Sequence, residues 1–368
     1  MNACFHYFAV KYMAVRAGFS PEDSQIIAEY SQFLDDCTRE IEVRVDESAL
    51  PQDIMERELF TYTDNHCCIY IPKTAALRRE EVATEEEWLE DILADSTWKY
   101  ALLPFHYLPP VPLTDAAIEA ADPRNDNLLT EDIRDPEGHA VFGGLLAGTV
   151  EAVHAAGKPS PGKPSPAEPL IRAGVLCHIL ADSFSHYLFS GLKHVTNEVK
   201  LMEIRDCQNQ ADLTKRYDPR VLSSRPAVGC LQAGSAMDDN GIMGGLIRQT
   251  RFGYTFNNRE KTEDAAERIL RFFFRCRNVP VDPANETLIK NTVAAIRELT
   301  DSSPVAFTPE GIKALARKWT DRTGLAYDYD RDRVRERLMK SDADGRLEEL
   351  CRFNIVVDDV QRAVLADY

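Results

Sequence analysis

The sequence predicts a mostly α-helical bundle with a small β excursion near residues 41–72, and three observations carry that prediction. Apolar residues recur at helical spacing through most of the chain. β-Branched and aromatic runs are confined to IEVRV, LFTYT and CCIYI between residues 41 and 72. Residues 157–169, GKPSPGKPSPAEP, contain five prolines and fit neither a helix interior nor a sheet ladder.

Phe5, Phe8, Ala9, Tyr12 and Met13 form the first helical stripe, and Gly18 stands where a C-cap belongs. Ser20, Pro21, Glu22 and Asp23 then supply an N-cap, a proline at the first helical position and acids at the positive end of the dipole. Ile26, Ile27, Tyr30, Phe33, Leu34 and Cys37 give that second helix one apolar face. Helical composition returns at Thr84 and Glu85–Glu87, and four prolines from Pro104 to Pro112 enforce a turning path. Beyond the Pro-rich segment the sequence predicts a strongly apolar helix at 170–189, a helical stretch around 195–216, a Gly-rich loop at 229–245, and helices near 260–276, 284–299, 309–320 and 330–350. The whole reads as one large helical domain over 1–368. The segment 157–169 is a surface insertion in it, and the C-terminal helices at 300–368 are a candidate appended subdomain.

Composition narrows the function classes. Sixty acidic against 43 basic side chains leave a net charge of −17. Non-specific binding of nucleic acid or anionic membrane depends on Lys and Arg neutralising phosphates, so bulk nucleic-acid binding is disfavoured. No window is long and apolar enough for a transmembrane segment, and the start of the chain does not read as a signal peptide. Nine scattered cysteines without a CxxC pair fit reduced thiols in a cytoplasmic protein.

The sharpest feature is His178-x3-Asp182-x3-His186 in the apolar helix. At 100° per residue, positions i, i+4 and i+8 fall within an arc of about 80°, so the three side chains form one stripe. Leu170, Ile171, Val175, Leu176, Ile179, Leu180, Phe184, Tyr187 and Leu188 leave that helix no polar face, which predicts burial. A buried unpaired Asp182 would cost several kcal/mol and needs a cation or a hydrogen-bond network. Eight residues separate the His178 and His186 Cα atoms by about 12 Å, too far for one ion. Two metals with Asp182 between them, or a histidine–aspartate network in a satisfied core, both meet the requirement. On the second helix Asp36 lies about 115° and Asp35 about 145° from the centre of the apolar face, placing Asp36 nearer a partner helix. His6 flanks the apolar stripe of the first helix, and His106 sits in a rigid aromatic turn, PFHYLPP, where it is a candidate acid or base. Asp238 and Asp239 are additional candidate ligands.

FHYFAVKYMAVRAGF, Gln32-Phe33-Leu34-Asp35-Asp36, Pro104-Phe105-His106-Tyr107-Leu108-Pro109 and the His178 motif with Phe189-Ser190-Gly191 and Asn197-Glu198-Val199 together resemble an uncharacterised bacterial family of mostly helical proteins, over most of residues 1–275. More remotely, the pattern resembles the zinc-dependent phospholipase C and S1/P1 nuclease fold. That resemblance implies a ligand order His6, Asp36, His66, His178-x3-Asp182, His186 and His194-x3-Glu198, with two or three zinc ions. Those enzymes use an N-terminal Trp that this sequence lacks. The uncharacterised family is expected to carry His in the stretch matching Thr74-Ala75-Ala76, and another His where this chain has Cys230.

GxSxG, HExxH, an adjacent His-Asp pair and GxxxxGK[ST] are all absent. With the two-metal spacing of the His178 stripe, the resemblance implies a metal-dependent phosphoester hydrolase with a di- or trinuclear zinc-like site. Its metal ligands would be drawn from His6, Asp36, His178, Asp182, His186 and Glu198, with Asp36 and His106 as catalytic groups. A small phosphoester or lipid headgroup is the expected substrate. The alternative is a non-catalytic helical scaffold with a buried His/Asp network or a structural metal.

Overall fold

The computed structural model describes residues 1–122, 124–156, 167–206, 209–217, 225–239, 243–300, 309–342 and 345–368. The chain opens with a π-helical segment, Cys4–Ala9, that continues as α1 (Val10–Arg16). Gly18 at φ +93° then turns it into α2 (Pro21–Asp36), whose Ser20 cap accepts the Asp23 N–H at 3.0 Å. β1 (Ile41–Val45), β2 (Thr61–Thr63) and β3 (His66–Ile71) form an antiparallel sheet in the order β1-β3-β2, with Ile41 opposite Ile71 and Thr61 opposite Cys68. Thr84 caps α3 (Glu85–Leu93); short helical segments from Asp95 to Phe105, ending at His106, and at Asp115–Ala120 precede α4 (Phe142–Ala156).

α5 (Ala167–Ser185) is the axis of the molecule, buried at nearly every position from Pro169 onward. It starts three residues earlier than predicted, with Pro169 tolerated in its first turn. Residues 157–166 of the Pro-rich segment lie outside the described residues. α2, α4, α6 (Asn258–Cys276) and the last long helix all pack on α5. The closest approach is between α2 and α5: a Cβ on Gly174 would lie 2.3 Å from the Ile27 carbonyl oxygen, so only glycine fits there.

A second antiparallel sheet, β4 (Val199–Asp206), β5 (Met243–Gln249) and β6 (Gly253–Asn257), corrects two expectations. In place of the expected helical stretch at 195–216 stand β4 and two short 3-10 turns, Val195–Asn197 and Thr214–Tyr217; a register shift between Val199 and Leu201 breaks the two-residue alternation that would have marked the strand. The Gly-rich stretch ends inside β5, where a Cβ on Gly245 would collide with the Glu203 carbonyl of β4.

α7 (Pro283–Thr300) and α8 (Pro309–Thr323) lie close to their predicted spans. The expected 330–350 helix is instead α9 (Arg331–Leu338) and α10 (Glu348–Val364), separated by a turn with Gly345 at φ +77°. α10 buries Phe353, Val356, Val357, Val360 and Val364 in the same apolar cluster as α5. Among the described residues the protein is mostly helical, and no helix is long and apolar enough to cross a membrane.

Candidate metal centre

α2 and α5 run side by side in the same direction, with Ile27 against Gly174 and Ser31 against His178, whose Nδ1 lies 2.7 Å from the Ser31 carbonyl. One further turn brings Asp35 to the same level as His178 and Asp182. The π-helical segment adds His6, and the turn after Pro104 adds His106. His6 and His178 stack at 4.0 Å between ring centroids, and both are fully buried, as is Asp182 at 1% exposure.

The hydrogen bonds fix the ring orientations. A carbonyl oxygen only accepts, so a ring nitrogen in hydrogen-bond contact with one carries the hydrogen. His178 Nδ1 donates to Ser31, His106 Nε2 donates to the Thr74 carbonyl at 2.9 Å, and His186 Nδ1 donates to the His106 carbonyl at 2.8 Å. In neutral imidazoles the opposite nitrogens are then lone-pair donors. They face other acceptors: His106 Nδ1 lies 2.9 Å and His178 Nε2 3.2 Å from Asp182 Oδ2, and the two nitrogens are 3.1 Å apart. Asp35 Oδ1 stands 3.9 Å from each.

Lone pairs so placed repel unless protons or a cation lie among them. Donors about 2.0–2.2 Å from a tetrahedral zinc-like ion are roughly 3.3–3.6 Å from one another, a value the observed separations bracket. Imidazoles held by N–H to carbonyl bonds are also the usual support for metal-ligating histidines. The donor chemistry and spacing therefore fit an ion among Asp35, His106, His178 and Asp182.

Two further groups share this centre. His6 Nε2 is 3.0 Å from Asp182 Oδ1 and 2.9 Å from the Met1 carbonyl, while its buried Nδ1 has no partner. The Met1 amino group touches Asp182 and lies 3.5 Å from Asp238 Oδ1. On the far side, His186 Nε2 is 2.9 Å from Asp238 Oδ1, and His186, Asp238 and Cys230 present ligand atoms within 4.8 Å of one another. His178 and His186 thus belong to different groups, in keeping with their separation along α5.

Acidic side chains occupy the last turns of both α2 and α5, where the helix dipole already contributes negative potential. Burial opposes charge on Asp182, but the Met1 amino group and the surrounding imidazoles hold its carboxyl well below the usual range. Burial likewise opposes charge on Asp35, and His178, His6 and His106 outweigh it, lowering its pKa. Burial pushes the His6 imidazole down to about 4, aided by His178 and Met1. For His178 and His186 burial is overcome by Asp182, with Asp35 assisting the first and Cys230 and Asp238 the second, and both imidazoles are raised. Three carboxylates and four imidazoles so arranged attract positive charge strongly.

The sequence-predicted residues divide cleanly. His6, His106, His178, Asp182 and His186 are brought together. Asp36 is not: it points away from the cluster, bonded to Arg78 and to the Tyr329 hydroxyl. The apolar wheel misplaced it because the contact of α2 with α5 runs through Ile27 and Ser31, and the buried, polar Ser31 carries no hydrophobic signal. Positions 27, 31 and 35 define that side, so Asp35 takes the place expected of Asp36.

Glu198 is exposed and pairs with Lys200 and, at 3.2 Å, the Thr250 hydroxyl. His194-x3-Glu198 needs a helix to act as a unit, and the chain there is a short turn leading into β4. His194 Nε2 meets the Ala121 carbonyl instead, and His66 is exposed at the start of β3. Thr74 supplies the carbonyl that orients His106. Met1 carried no recognisable sequence signal, and the sequence offered Asp238 only as an additional candidate.

Neither the curated proteins nor the solved structures contain a match to this sequence. A family profile does match, over residues 1–349, nearly the whole chain and all of the cluster. The chain belongs to DUF6765, a family of unknown function.

Proposed function

We propose that the protein is a metal-dependent phosphoester hydrolase with a centre for two or three zinc-like ions, in a bundle of the phospholipase C and P1 nuclease type. The observation that supports this reading most directly is the convergence of His106 Nδ1 and His178 Nε2 on Asp182 Oδ2 with their other nitrogens already donated to carbonyls. Asp35, His106, His178 and Asp182 would hold ions on one side of the centre, with His6 stacked beside them, and His186 with Asp238 on the other. Ions held there would acidify a water nucleophile and offset charge on the phosphoryl oxygens.

The protein's own groups divide the remaining work. Asp182, almost wholly buried, fixes the separation of the two sides. Asp35 and Asp238, at 25% and 29% side-chain exposure, form the rim that a substrate meets first. Asp35 Oδ2 would take a proton from attacking water, the role expected of Asp36 from the sequence. The net negative charge favours a small phosphoester or lipid headgroup over a long polyanion. The free thiols of the eight cysteines among the described residues support a cytoplasmic location.

Protein purified without a His tag should contain about two equivalents of zinc or a similar ion and hydrolyse bis-p-nitrophenyl phosphate in a chelator-sensitive manner. His178→Ala with Asp182→Ala should lose both metal and activity. A folded wild-type protein that binds no divalent ion would refute the proposal in favour of a scaffold held by a His/Asp network.

A further inference from the structure

Cys230 lies beyond the ligand set just assigned, and its surroundings are arranged around its sulfur. The Cys230 amide N–H donates to the Tyr107 hydroxyl at 2.9 Å, and that hydroxyl donates its single hydrogen back to Cys230 Sγ at 3.4 Å. Tyr107 can reach this position only because residue 229 is glycine. Gly229 has φ +51°, and a Cβ there would lie 2.2 Å from the phenol oxygen. The Tyr107 ring also stacks on His186, with centroids 4.5 Å apart and planes 18° from parallel. One aromatic ring therefore fixes both the sulfur and the imidazole.

His186 Nδ1 donates to the His106 carbonyl, which leaves Nε2 for Asp238 Oδ1 at 2.9 Å, and ligand atoms of His186, Asp238 and Cys230 lie within 4.8 Å of one another. The phenol hydrogen is directed at Sγ, so the sulfur serves as an acceptor. An O–H to sulfur hydrogen bond from a buried neighbour is the kind of outer support that metal thiolates receive. Cys230 itself is 7% exposed, deep enough to exclude most solvent from a bond to sulfur.

We propose that His186, Cys230 and Asp238 form a thiolate-containing site for one zinc-class divalent cation, separate from the ions held by His178 and Asp182. The proposal rests on the metal-centre reading and specifies one site within it. On binding, a sulfur–metal bond forms as the Cys230 S–H proton leaves to solvent; no electrons are transferred. Thiolate is a soft ligand, so this site selects zinc, cobalt or cadmium over magnesium, manganese and calcium, which prefer oxygen.

Full-length protein stripped with chelator and titrated with Co²⁺ or Cd²⁺ tests it. The expected result is a sulfur-to-metal charge-transfer band that saturates at one thiolate per chain. Cys230→Ser should abolish the band and lower the bound metal by one equivalent while the far-ultraviolet circular dichroism is unchanged. Should that variant fail to fold, alkylation of wild-type protein followed by peptide mass analysis gives the same information. Cys230 should be protected by zinc and become reactive on chelation.

Metal that binds without a thiolate band, or a band that survives in Cys230→Ser, overturns this site and leaves the hydrolase proposal standing. A band at Cys230 in a protein with no phosphodiesterase activity supports the site and removes the hydrolase. Absence of any metal binding overturns both.

Discussion

Gly174 lies so close beneath the Ile27 carbonyl that α2 and α5 are in backbone contact one turn before His178. The Cβ of an alanine would stand 2.3 Å from that oxygen, so the helices would have to separate. Overpacking of this kind typically costs about 1–3 kcal/mol. Gly174→Ala is expected to lower the midpoint of denaturant unfolding by that amount. It should also weaken metal binding, because the separation displaces Asp35 from His178 while touching no ligand. Normal stability in this variant would contradict the close contact.

Asp35 and Asp36 are neighbours with opposite duties. Asp35→Asn should reduce bound metal and hydrolysis with little effect on stability. Asp36→Asn weakens the contacts with Arg78 and Tyr329 and should destabilise by about 1–3 kcal/mol, the range for a buried partner lost, while metal content is retained. Glu198→Gln should alter neither. Metal analysis and denaturant unfolding of the three variants side by side discriminate the assignment, and a metal-deficient Asp36→Asn would reverse it.

Stability of the metal-free protein should depend on pH in two directions. His178 and His186 are raised above their unfolded value of 6.5. Their contribution is fully present below pH 6.5 and is lost as pH rises through the folded values. His6 is lowered from 6.5 to about 4, so it removes stability as pH falls through that interval. These three groups together give the metal-free protein a maximum near pH 6.5. Zinc replaces the protons on His178 and His186, so the loss at higher pH should disappear in its presence. Thermal melts with zinc or with chelator across neutral pH will show whether the two curves diverge on the alkaline side as expected.

Ion binding should also register as stability at fixed pH. A ligand that binds only the folded state contributes about 2.7 kcal/mol when present at 100 times its Kd. Chelation should therefore lower Tm by several degrees, and zinc should restore it in wild type but not in His178→Ala with Asp182→Ala.

Much of this was legible in the sequence where one local pattern controlled the outcome. The caps at Ser20 and Thr84, the apolar α5 with its stripe of His178, Asp182 and His186, and the first three strands follow from spacing and residue type alone. The second sheet was hidden because its first strand carries a bulge and its second contains Gly244 and Gly245, which read as a loop. The clustered His and Asp side chains were legible where α5 alone supplied them. The cluster was misread at Asp36, because two helices in contact through Ser31 and Gly174 give no apolar signal. It was misread at Glu198 because the turn before β4 imitates helical spacing.

The second sheet rests on its own apolar cluster, in which Tyr107, Phe189, Met202, Cys230, Met237, Met243 and Ile247 are grouped apart from the core around α5. A small cluster of this kind opens at lower free energy than the body on which it sits. Cys230 and Asp238 therefore belong to a part of the protein that can unfold locally while His6, Asp35 and His178 stay in place. Amide hydrogens of β4 and β5 should exchange faster than those of α5, and ions on the two sides of Asp182 would then leave at different rates.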